Sequence, residues 1–173
     1  MPITVQQFRK VLDEMEIAHR VRKDTNVIEF IVHESDPIPL DYKILFSISE
    51  EKNRIQATGI LCDKDVDDSD DFMSAYLFCN QWHADTTMPK VILNCEAKLL
   101  ACEWTWNRIP EISNDDLSTL IVNFVHGTQV CISKAIETGV YLVDDTPKNG
   151  PKGLLSRVSS ALSFDDDDED DKD

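Results

Sequence analysis

Basic residues are scarce in this chain: 17 lysines and arginines face 33 aspartates and glutamates, a net charge of −16 over 173 residues. A phosphate-gripping surface needs a basic face, which argues against unaided binding to DNA, RNA or an anionic membrane. Long apolar runs are missing too. No 18 apolar residues follow one another and Met1-Pro2-Ile3-Thr4 opens no signal peptide, so a cytoplasmic protein is expected. The five cysteines (Cys62, Cys79, Cys95, Cys102, Cys131) contain no C-x-x-C pair and sit mostly in apolar runs. Reduced, buried thiols follow from that placement. No nucleophile and base can be located together by pattern, so neither catalysis nor a cofactor is expected.

What is present is a hydrophobic share of 42%, enough for one domain with a core. The chain is organised around residues 72–106, which hold all three tryptophans. Phe72, Ala75, Tyr76, Cys79 and His83 mark a helical apolar face, ended by a turn at Thr86-Thr87-Met88-Pro89. Two apolar runs follow, Val91-Ile92-Leu93 and 99–106, and read as strands. Trp82 is expected on the helix face opposite Cys79, pinning the Pro89-Lys90 return by packing. Asn80 beside it is expected to hydrogen-bond the exposed carbonyls at the helix end.

Upstream, Thr4 caps a helix with apolar positions Val5, Phe8, Val11, Leu12 and Met15, ending near Glu16. Residues 18–23 and 27–33 read as strands around Asp24-Thr25-Asn26, and 42–49 and 54–61 as a second hairpin around Glu50-Glu51-Lys52-Asn53. Residues 35–39, with Pro37 and Pro39, form a loop. Asp63, Asp65 and Asp67 stand at the first, third and fifth places of a calcium loop, but Asp68 replaces the turn glycine and Ser74 the bidentate glutamate. These acids fit better as charge complement for the next helix, with Asp68 or Ser69 as its cap.

Downstream, Ser113 caps the longest helix, with Asp116 in a capping-box position. Leu117, Leu120, Ile121, Phe124, Val125, Thr128, Cys131, Ile132 and Ala135 make its stripe, and Gly139 stops it. About 25 residues would span roughly 37 Å. Val122, Val130 and Ile136 widen the apolar surface, which points to burial on more than one side and to a homodimer. His126 reads as a packed helix residue.

The layout is α+β, order α-β-β-β-β-α-β-β-α: an antiparallel sheet with helices packed on one face. This domain covers 1–143. A linker at 144–153 carries Pro147, Gly150, Pro151 and Gly153. Residues 154–164 follow as a short amphipathic segment, with Leu154, Leu155, Val158, Leu162 and Phe164 at helical spacing. Residues 165–173 carry −7 of the net charge and read as a disordered acidic tail, leaving the body at −9. The amphipathic segment is either a docking element for a partner or a flap that folds back on its own domain.

The phrase Tyr76-Leu77-Phe78-Cys79-Asn80-Gln81-Trp82-His83, followed by Pro89-Lys90-Val91-Ile92-Leu93, resembles the central motif of the YbjN-like family, described as candidate sensory transduction regulators of bacteria. Asn80, Trp82, Pro89 and Lys90 match that motif. His83 stands where asparagine is usual, and Thr86-Thr87-Met88 replaces basic and aromatic residues. The resemblance spans 4–138 and implies a type III secretion chaperone-like fold, commonly a homodimer, that binds protein partners without chemistry.

Two functions of different class follow. One is a non-catalytic regulator, adaptor or chaperone-like module, with Asn80, Trp82 and the apolar residues of 154–164 as partner-binding candidates. The alternative is a metal- or thiol-dependent sensor or enzyme using Cys79, His83, Cys95 and Cys102, although the spacing of a structural zinc site is missing. An acidic tail competing for a basic surface as a nucleic-acid mimic ranks behind both.

Overall fold

Local signals start and stop each element where side chains can satisfy the backbone. In the computed structural model, which describes residues 3–22, 24–33, 41–62, 69–94, 99–107, 109 and 111–140, helix α1 spans Val5–Glu14. The Thr4 hydroxyl accepts the Gln7 N–H at 3.1 Å, satisfying one of the free donors of the first turn. Strands β1 (Arg20–Arg22) and β2 (Val27–Val32) form a hairpin whose turn puts Asn26 at φ 51°. Strands β3 (Tyr42–Ser49) and β4 (Arg54–Cys62) form the next, with Asn53 at φ 46°. Asparagine tolerates this left-handed backbone better than most residues.

Helix α2 covers Ser69–Asp85, β5 Lys90–Asn94, β6 Leu99–Trp106 and α3 Asn114–Glu137. At the start of α3 the Ser113 hydroxyl accepts the Asp116 N–H and donates to the Asp116 carboxylate. At its end Gly139 takes φ 74°, its N–H bonding Ile136 O while that of Val140 bonds Ala135 O. This double closure satisfies carbonyls the helix would otherwise leave open. The element order is the expected one; β1 is shorter than its 18–23 estimate.

The strands make one antiparallel sheet in the order β1-β2-β3-β4-β6-β5. Alternation sends Ile28, Phe30, Ile44, Phe46, Ile48, Ile55, Ala57 and Cys102 to one face, where α1 and α3 pack. Phe46 is the centre, with ring centroids 4.7 Å from Phe8 and 5.8 Å from Phe124. Gly59 lets α3 come close, since a Cβ there would lie 2.5 Å from the Thr128 methyl. The opposite face is mixed, with Arg22 and Glu29 paired at 2.7 Å beside Val27, Leu45 and Ile60. The expected acidic loop at 63–68, the loop at 35–39, Cys95, the linker, the 154–164 segment and the tail lie outside the described residues.

Candidate docking cleft between the second and third helices

Helix α2 is apolar on more than one side, and packing decides which side is used. Ala75, Phe78 and Trp82 are buried and Cys79 is half-buried, a stripe at i, i+3, i+4 and i+7. Phe72 and Tyr76, expected on that face, are exposed, as is His83. Cys79 and Trp82 therefore share a side rather than opposing each other, as a three-residue helical step requires.

Trp82 holds the return from α2 to β5. Its indole N–H donates to the Pro89 carbonyl at 2.7 Å, and its ring lies 6.1 Å from Phe78. The Met88–Pro89 peptide is cis, and the Pro89 ring fits against Gly127 of α3, where a Cβ would approach to 2.9 Å. Thus α3 leans on the turn because residue 127 has no side chain. The packing role expected of Trp82 is present, with a hydrogen bond added. Asn80 departs from expectation: it is exposed, and among the described residues its amide has no hydrogen-bond partner. Near the helix end the Trp82 carbonyl is taken by the Thr86 N–H at 2.8 Å.

Between α2 and α3 lies a cleft of about 850 Å³. Phe78 and Trp82 form its floor, while Leu77 and Val130, 58% and 47% exposed, stand on its two walls. The rim is polar: Gln81 donates to Asp85 at 2.7 Å, and Lys134 pairs with Glu137 at 3.1 Å. His126 lines the cleft and is exposed, not packed as expected from its place beside Gly127. Leu77 and Lys134 were missed from sequence, whereas Val130 was read there as widening the apolar surface of α3. The available signal was the second apolar side of α2, carried by Phe72, Met73, Tyr76 and Leu77. A second depression of about 1010 Å³ near the start of α1 is lined by polar side chains such as Gln6, Gln7 and Asp13.

The thiol alternative is rearranged by the fold. Cys79, Cys102 and Cys131 converge from α2, β6 and α3, and Cys131 was not among the expected partners. Burial pushes the Cys79 thiol up to about 11, with Cys131 adding to the shift, and holds Cys102 well above the ordinary range. Neutral thiols are poor nucleophiles and poor ligands. His83 spends its Nε2 as acceptor for the Val91 N–H at 3.0 Å, capping a backbone donor of β5, the last strand of the sheet. Among the described residues, no group of three or more His, Cys, Asp or Glu is placed to hold a metal ion.

The geometry defines an α+β domain with an open antiparallel sheet, helices on one face and an apolar cleft beside the last strand. No protein-family profile and no curated protein sequence matches the chain. The fold is that of YbjN from E. coli, a candidate transcription regulator: the two superpose with a TM-score of 0.63 at 9% identity, over 83% of this chain and 98% of that one. A chain of the HopA1-SchA chaperone-effector complex superposes with a TM-score of 0.48 at 14% identity, over 76% of this chain and 99% of that one.

Proposed function

We propose that this protein is a non-catalytic interaction module, acting as a regulator, adaptor or chaperone-like protein, that holds an amphipathic helix of a protein partner in the α2–α3 cleft. The observation that carries this reading is the pairing of exposed Leu77 and Val130 over a buried Phe78–Trp82 floor. An apolar slot with a polar rim suits the i, i+3, i+4, i+7 anchors of such a helix. The floor is tied to Pro89 and needs no reordering on binding, which limits the entropy lost. Asp85 and Glu137 outnumber Lys134 on the rim and, in a chain of net charge −16, favour a helix flanked by basic residues and disfavour nucleic acid.

Free Cys79, Cys102 and Cys131 fit a reducing, cytoplasmic setting. Among the described residues no helix is long and apolar enough to cross a membrane. The test is selection of binders from a displayed library of amphipathic peptides, followed by Leu77→Asp and Val130→Asp. Both side chains are exposed, so melting should hold while binding falls at least about tenfold, or 1.4 kcal/mol. Binding that ignores both substitutions would move the interaction elsewhere.

A further inference from the structure

We infer that the first occupant of this cleft is the chain's own segment 154–164, docked in cis. The inference rests on the reading of the cleft as a helix-binding slot and names what fills it before a partner arrives.

The chain leaves the described fold at the mouth of the slot. After α3 the backbone reverses at Gly139, and Val140 turns back so that its N–H bonds Ala135 O. The Val140 side chain itself lines the cleft. Thirteen residues, 141–153, separate Val140 from Leu154. Their span is roughly 20 Å as a flexible coil and about 45 Å when stretched, so the tether reaches a site that begins where it is attached. An 11-residue helix is only about 16 Å long.

The chemistry of the segment fits the slot. Leu154, Leu155, Val158 and Leu162 fall on one side of a helix too short to be stable without cover. Between Val140 and Phe164, Lys148, Lys152 and Arg157 outnumber Asp144 and Asp145, with the acids of 165–173 lying beyond, and on the rim Asp85 and Glu137 outnumber Lys134. Tethering raises the local concentration of the segment to the millimolar range. A partner helix must outcompete it, so the segment sets an affinity threshold for the site.

Hydrogen exchange on the full chain tests this, using wild type, the pair Leu155→Asp with Leu162→Asp, and the pair Leu77→Asp with Val130→Asp. Wild type should show amides of 154–164 exchanging at least about tenfold slower than in either paired variant, independently of protein concentration. A synthetic 154–164 peptide should bind the Leu155→Asp/Leu162→Asp chain at the cleft, and wild type about tenfold more weakly or less. Protection that grows with concentration would assign the slot to a second copy and overturn docking in cis. Unprotected 154–164 in wild type would also overturn it, while library peptides that still require Leu77 and Val130 would keep the cleft reading intact. If neither segment nor library peptides respond to Leu77→Asp and Val130→Asp, both readings fall.

Discussion

Trp82 joins an apolar contact to a polar one, and the two can be separated. Trp82→Ala removes a buried aromatic from beside Phe78 and should cost about 3–5 kcal/mol in chemical denaturation. Trp82→Phe keeps much of the packing but strands the buried Pro89 carbonyl, at about 1–3 kcal/mol. A Trp82→Phe variant as stable as wild type would mean the hydrogen bond adds nothing, and equal losses for the two would mean the packing adds nothing. Asn53 is a second joint: its carbonyl accepts the Ile109 N–H, and its side chain accepts from Ile3 N and donates to Ile109 O.

Tyr42 and Cys79 make stability sensitive to alkali. Burial pushes the Tyr42 phenol from 10 up to about 12 and the Cys79 thiol from 9 up to about 11. The Gln129 side chain offsets part of the Tyr42 shift, although among the described residues no hydrogen bond of normal geometry reaches that hydroxyl. The folded protein holds both protons more tightly than the unfolded chain. Their stabilisation is therefore complete below pH 9 and is lost as pH climbs through 11 for Cys79 and 12 for Tyr42. Melting curves should show Tyr42→Phe flattening the decline above pH 10; an unchanged decline would remove Tyr42 from the account.

At the scale of elements, two glycines set how closely α3 lies on its neighbours. Gly59→Ala drives a Cβ into Thr128 and should destabilise by about 1–3 kcal/mol through overpacking. Pairing it with Thr128→Ser, which removes the methyl at 2.5 Å, should recover part of that loss. A double-mutant cycle with no coupling would show that the strand shifts instead. At Gly127 the obstacle is the Pro89 ring, so Gly127→Ala should disturb the turn as well as the helix. Amide exchange at Val91, whose N–H rests on His83, is the local probe.

For the whole molecule, we propose association into a homodimer on the evident apolar excess of α3, where Val122 is 52% exposed and lies outside the residues lining the cleft. Light scattering should give twice the chain mass at micromolar concentration, and Val122→Glu should return the monomer. A monomer at every concentration tested would end this proposal. A dimer retained when the cleft is blocked by Leu77→Asp would place the two surfaces apart.

The order of elements was legible in the sequence because its signals are local. Thr4 and Ser113 cap helices with their own hydroxyls, Gly139 ends α3 at φ 74°, and Asn26 and Asn53 turn hairpins at positive φ. None of these needs a distant contact. The α3 stripe was equally legible, since its apolar residues repeat at one period, while Val122 and Val130, read as widening it, are exposed. Helix α2 was different. Phe72, Met73, Tyr76, Leu77, Phe78 and Trp82 surround its axis with apolar surface, so periodicity alone selected Tyr76 where the fold buries Phe78. The choice fell to partners outside the helix: Pro89 accepts from Trp82, Gly127 admits Pro89, and Cys131 and Cys102 lie near enough to Cys79 to raise its thiol or share its burial. Rotating α2 to satisfy those contacts left Leu77 facing outward opposite Val130. The cleft exists only where two helices separated in sequence are brought side by side, and burial of one apolar side of α2 is what exposes the other.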